Sequence, residues 1–164
     1  ADQQLAMIDL NVRTLTALTL ACADDLVGQR GGLLNVGSLA GFMPGPGMAV
    51  YYATKAFVLS FTEAMGRELG PRGVRVSVLC PGPVPTGFQA RAGVRVTGFQ
   101  SVMTVTAAAA ARTGYDALMA GRPLAIPGRL ARLVPLVVRL LPRRAMLALI
   151  AATQIRRLGD RGGL

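Results

Sequence analysis

The chain has 164 residues, is 52% hydrophobic and 16% charged, and carries a formal net charge of +10. That hydrophobic share excludes a disordered chain, and the length suits one buried core. Histidine is absent, which removes Ser-His-Asp and Cys-His catalysis and the usual zinc ligand sets from these residues.

Residues 2–29 read as one long helix, with Leu5, Ile8, Val12, Leu15, Leu18, Ala21 and Val27 at helical spacing. No signal peptide is expected, because the start carries Asp2 and lacks a basic segment followed by an apolar run. Asn11 lies inside this helix, where its amide competes for backbone partners. Cys22 and Cys80 lack metal-ligand spacing and read as small buried hydrophobes of a reducing, cytoplasmic compartment. Gly28, Gly31 and Gly32 end the helix, and residues 33–36 read as a buried parallel strand.

Ser38 follows that strand, at the carboxyl end where open α/β sheets bind ligands. Gly41, Gly45 and Gly47 fit a dinucleotide glycine pattern, but Pro44 and Pro46 have no N–H for a phosphate. No acidic residue closes the next strand either. The glycines are therefore expected to let the loop turn sharply.

Residues 48–69 read as a second long helix, stopped by Gly70-Pro71. It carries Tyr51 and Lys55, four apart and so on one face. An ammonium beside a phenol favours phenolate, and a lowered tyrosine pKa suits general acid–base work near neutrality. Lys55 is the only lysine among eighteen basic residues, which points to a position that arginine does not serve. A Tyr-x-x-x-Lys spacing alone also describes an ordinary surface helix; Ser38 thirteen residues before Tyr51 raises it above that. Tyr52 sits one residue too far from Ser38 and reads as substrate-side or packing.

Residues 74–79 form the next expected strand, followed by PGPVPT at 81–86. Residues 87–103, with Phe88, Phe99 and Met103, read as a mobile substrate loop containing a short helix. An alanine-rich helix over 104–120 and a short final strand over 123–126 complete the pattern. The tail at 128–158 has seven arginines and no acid; residues 112–164 hold ten Arg and two Asp, net +8, so most of the +10 lies there. Its longest uncharged run, eleven residues at 145–155, is too short to span a bilayer. An Arg-rich amphipathic helix pair suits a membrane interface. It equally suits a cap over a substrate pocket with a solvated basic face, which is the simpler reading.

On Asn11, Ser38, the YYATK run at 51–55 and PGPVPT at 81–86, the sequence resembles the short-chain dehydrogenase/reductase (SDR) family and its Asn-Ser-Tyr-Lys tetrad. The resemblance covers residues 1 to about 90 well and the remainder in outline. It implies an α/β fold: the C-terminal half of a Rossmann-like doubly wound parallel sheet over 1–127, with a basic amphipathic helical tail over 128–164. A complete member would carry roughly another hundred residues first, with the phosphate-binding glycine loop, so the chain is expected to be the C-terminal part of a larger protein.

The resemblance further implies an oxidoreductase moving a hydride between NAD or NADP and a carbonyl or alcohol, with apolar substrates in view. Ser38 would polarise the carbonyl and Tyr51 would move the proton. Lys55 would lower the Tyr51 pKa and hold the nicotinamide ribose, and Asn11 would link Lys55 to solvent through water. Tyr51, Lys55, Pro81, Gly82, Val84 and Thr86 would touch the cofactor, Val84 at the carboxamide and Thr86 at the diphosphate. The two long helices resemble those that pair across dimer interfaces, so a homo-oligomer is implied. The alternative class is a non-catalytic basic module on a membrane surface through 128–158; with eight aromatics and no recognisable module, nucleic acid is not an expected partner.

Overall fold

The computed structural model describes residues 1–86 and 99–158. Three parallel strands, β1 (Gly32–Val36), β2 (Arg75–Leu79) and β3 (Leu124–Ala125), pair in the order β1-β2-β3. Gly32 faces Arg75 and Val36 faces Leu79 in the first pair; Val78 faces Leu124 in the second. Parallel strands need long crossovers. These are supplied by α4 (Ala49–Leu69) between β1 and β2 and by α6 (Ala107–Met119) between β2 and β3.

Strand alternation sends side chains to two different helical layers. Leu33 and Val76 meet Met65 and Leu69 of α4, while Leu34, Leu79 and Ala125 meet Ala117 of α6. Helix α4 buries Val58, Thr62, Met65 and Leu69, a stripe at three- and four-residue spacing. Helix α6 buries only Ala110, Gly114 and Ala117, so it lies close on the sheet. A Cβ at Gly114 would stand 3.1 Å from both Leu34 and Leu79 side chains. Thr106 caps α6, its hydroxyl accepting from the Ala109 N–H at 3.2 Å.

The first segment is not the single regular helix its periodicity predicts. It is α1 (Asp2–Ile8), a π-helical turn (Asp9–Thr14), α2 (Leu15–Ala21) and α3 (Ala23–Gly28). Periodicity averages over a window, so one inserted residue in a turn leaves the apolar spacing intact. The second break falls at Cys22, which is exposed rather than buried as expected, on the outer side of the segment with Leu20 and Ala21. Helix α4 ends at Leu69, where the Gly70-Pro71 stop was expected; the chain continues through a 3-10 turn (Gly70–Arg72), and Gly73, at φ 90°, makes the left-handed exit.

Of the expected substrate loop, 87–98 with Phe88 lies outside the described residues. Its end forms α5 (Phe99–Val102), and Met103 is buried in the core with Val58, Val78 and Ile126 instead of facing a substrate. The tail forms a 3-10 turn (Ala131–Leu133), α7 (Val134–Leu140) and α8 (Arg143–Leu158), broken at Pro142. It is anchored inward: Ala131 and Val134 join the same core cluster, and Met146 and Ile150 are buried. Among the described residues, no helix is long and apolar enough to cross a membrane.

Candidate active site

Parallel strands deliver their carboxyl ends to one edge of the sheet, and the motif residues gather there. Ser38 lies two residues past β1, and residues 81–86 leave the end of β2. The two exits are stitched together by backbone: the Gly37 N–H donates to the Leu79 carbonyl at 2.8 Å and the Leu39 N–H to the Pro81 carbonyl at 3.0 Å. Gly82 is required by close packing, since a Cβ there would meet the Met103 carbonyl at 2.8 Å.

Ser38 is extended and caps a 3-10 turn (Leu39–Phe42), its Oγ accepting from the Ala40 N–H at 3.1 Å. Its side chain faces the Tyr51 phenol, whose ionisation it favours. The 3-10 turn rests on α4 at Gly41, where a Cβ would stand 2.6 Å from the Lys55 carbonyl oxygen. Gly45 faces the Tyr52 ring directly, and Gly47 takes φ 84°. The sharp turn expected of these glycines is made at Gly47, whereas Gly41 and Gly45 serve close packing, the space above them being filled by protein. Tyr52 packs on Gly45 and edge-on against Tyr51, with ring centroids 5.9 Å apart.

Lys55, one turn beyond Tyr51, donates from Nζ to the Val36 carbonyl at 3.0 Å. Burial pulls its ammonium below the ordinary lysine range, with the Cys80 sulfur opposing. Burial pushes the Tyr51 phenol up, and the Ser38 hydrogen bond acts the other way. The lowered phenol expected from the Tyr-Lys spacing is therefore not what the structure shows. Removing a phenolate from water outweighs the help it receives here, while the ammonium that was to lower it is bonded to the strand.

Asn11 sits within the π-helical turn, and its Nδ2 donates to Thr54 Oγ1 at 3.1 Å. Thr54 in turn donates to the Tyr51 carbonyl at 2.8 Å. Asn11 thus reaches the backbone of α4 between Tyr51 and Lys55. Val84 is half-buried and Thr86 exposed, on the loop leaving β2.

One contributor was not singled out in the sequence. Thr54 stands inside the Tyr51–Lys55 interval, and a threonine in mid-helix that bonds back to the carbonyl three residues before it is the only available signal. Cys80 is fully buried, as expected, lies under Gly37, and has its thiol pushed up to about 12, chiefly by burial.

Across residues 1–97 the chain matches the short chain dehydrogenase family. It is 40% identical over 82 residues to a 3-oxoacyl-[acyl-carrier-protein] reductase of Synechocystis, covering 49% of this chain and 33% of that protein. It superposes with a TM-score of 0.67 on a short-chain dehydrogenase from Sphingobium yanoikuyae in complex with NADPH, at 30% identity over 86% of this chain and 54% of the other. A short chain dehydrogenase from Burkholderia cenocepacia in complex with NADP gives a TM-score of 0.75 at 25% identity, over 90% of this chain and 60% of the other. The chain belongs to the short-chain dehydrogenase family, and its α/β sheet is of the Rossmann type. It spans about a third of the length of the curated relatives it matches.

Proposed function

We propose that residues 1–127 form the catalytic half of an NAD(P)-dependent oxidoreductase that moves a hydride between the cofactor and a carbonyl or alcohol substrate. The observation that carries this is the contact from the Lys55 ammonium to the Val36 carbonyl at 3.0 Å, which sets Tyr51, one helical turn away, beside Ser38 at the carboxyl edge of a parallel sheet. Two converging hydroxyls suit a carbonyl oxygen, one polarising it and the other protonating it. A reductase among the relatives and NADP(H) in both structural neighbours support the same reading.

The residue types suit a nicotinamide nucleotide: the Lys55 ammonium, beside the end of β1, and the Val84 backbone and Thr86 hydroxyl, on the loop leaving β2, would hold it. Tyr51, Pro81 and Gly82 are proposed to border it. A bound nicotinamide would supply or accept the hydride. Ser38 orients the substrate oxygen, and Tyr51, kept protonated by burial, gives it the proton in the reductive direction. Lys55 holds the end of β1 and offers its charge to the ribose side. Asn11 acts through Thr54, fixing the helix turn that carries Tyr51 and Lys55.

A doubly wound sheet builds its cofactor crevice from both halves, so the 164 residues by themselves are proposed to be inactive. Exposed Leu5, Leu10, Leu18 and Leu20 on α1, the π-helical turn and α2 support a homo-oligomer of the complete protein. The free thiols and the fold suit the cytoplasm. The test is consumption of NADH and NADPH by the full-length protein with a panel of aldehydes and ketones of rising apolar character. Carbonyl-dependent consumption with either cofactor supports the proposal; none with any carbonyl, in a folded protein that binds neither cofactor, rejects it.

A further inference from the structure

The tail turns its apolar stripe the wrong way for a cap. Leu133, Leu136, Val137 and Leu140 follow the three- and four-residue spacing of one helix face, and all four are exposed, Leu140 at 74%. The inward side of α7 offers Val134, Pro135 and Val138, all half-buried, and Leu136 borders the groove toward β3. A soluble surface helix has the opposite polarity, so this face calls for a covering.

The surroundings state what kind. Between residues 117 and 158 there are eight arginines and no carboxylate. Arg129, Arg132, Arg139, Arg143 and Arg144 are exposed, and none takes part in the ion pairs seen among the described residues, which involve Arg13, Arg72 and Arg112. A groove of about 520 Å³ runs between β3 and α7, with Leu124 and Ile126 along it and Arg122, Arg132 and Arg139 around it. It is an apolar slot rimmed by cations, the complement of an anionic headgroup on an acyl chain.

Two other coverings fit less well. A second copy would bring one arginine-rich face against another without an intervening acid. The remaining strands of a doubly wound sheet add beyond β1, by the order 3-2-1-4-5-6, and the tail sits at the opposite edge beside β3.

We propose that α7 and the arginines flanking it form a docking face for an anionic lipid bilayer, with the Leu133, Leu136, Val137 and Leu140 stripe lying in the interface plane. The helix is short and the chain does not span; attachment is peripheral, through apolar burial plus attraction to lipid phosphates. The inference stands on the tail alone and is independent of the reductase reading.

The experiment is flotation of the full-length protein with vesicles of phosphatidylcholine alone and with about a third phosphatidylglycerol, at low salt and at about 0.5 M salt, where exposed charges are screened within roughly 4–5 Å. Two variants accompany it: Leu136→Ser with Leu140→Ser, and Arg139→Gln, Arg143→Gln and Arg144→Gln together. All five side chains are exposed, so the melting temperature is expected to stay unchanged. Binding should require the anionic lipid, fall with salt, and drop by at least about tenfold in each variant. The proposal is overturned by absence of binding to anionic vesicles at low salt, by equal binding to neutral vesicles, or by indifference to the leucine pair, which would leave only unspecific charge attraction. Sedimentation showing a dimer that the leucine variant dissolves, with no vesicle binding, would assign the face to a second copy instead.

Discussion

The Lys55 ammonium and the Val36 carbonyl, 3.0 Å apart, join the middle of α4 to the last residue of β1. One bond thereby fixes the helix bearing Tyr51 against the strand whose exit carries Ser38. A lysine reaches that carbonyl with a compact head group, whereas the arginine fork is larger and flat. Lys55→Arg and Lys55→Met are therefore expected to lower turnover of the full-length protein by about 10²-fold or more, within the range of acid–base catalytic effects. Steady-state kinetics check this; turnover unchanged in Lys55→Arg would detach the lysine from the chemistry.

Gly41 gives a positional test of the same contact. A Cβ there meets backbone, the Lys55 carbonyl at 2.6 Å, and backbone does not swing aside as a side-chain tip does. Gly41→Ala should cost about 1–3 kcal/mol of stability and reduce turnover as well. Gly28→Ala, where nothing lies within 4 Å, should be neutral or slightly stabilising. Denaturant melts of the two variants separate these outcomes; equal behaviour would contradict the close approach.

Beneath the site, Asn35 donates from Nδ2 to Thr62 Oγ1 at 3.0 Å, and Thr62 donates to the Val58 carbonyl at 2.6 Å. Both side chains are buried. Thr62→Val leaves the Asn35 amide without its acceptor and should destabilise by about 1–3 kcal/mol. Adding Asn35→Leu should recover part of the loss. A melt in which the double variant is worse than the sum of the singles would argue against this pairing.

The two thiols should separate by reactivity. Cys22 is exposed and should be alkylated at about pH 8, while Cys80 should react only after unfolding, since its thiol is pushed up to about 12. The folded chain holds that proton more tightly than the unfolded one. The stability tied to it is complete below the unfolded thiol value of about 8.5 and is lost as pH rises toward about 12. Tyr51, also raised, adds to the alkaline loss; Lys55, lowered, opposes it. In Cys80→Ala the fall in melting temperature between about pH 8 and pH 10.5 should be shallower than in the parent chain. An equal slope would remove Cys80 from the account.

Much of this was legible beforehand because it is local. The helix at 48–69 is found at Ala49–Leu69, and the strands at 33–36 and 74–79 at Gly32–Val36 and Arg75–Leu79. Apolar period and flanking glycines are written in adjacent residues. What was not legible depends on contacts across the chain. The Asn11–Thr54 bond joins residues 43 apart, and Lys55 meets Val36 nineteen residues away. The direction of the Tyr51 shift follows from how much water the fold removes, which a Tyr-x-x-x-Lys spacing does not contain. The break at Cys22 escaped for a related reason, since no glycine or proline marks it.

The central proposal is that Tyr51 moves the proton, assisted by Ser38. The most direct measurement is kcat of the full-length Tyr51→Phe protein on a reducible carbonyl, taken beside the cofactor Kd of the same protein. The account predicts a loss in kcat of about 10²–10⁴ with cofactor affinity held within a few fold, because the ring and its packing on Tyr52 remain. Near-full turnover of Tyr51→Phe would contradict it and move the proton to another group.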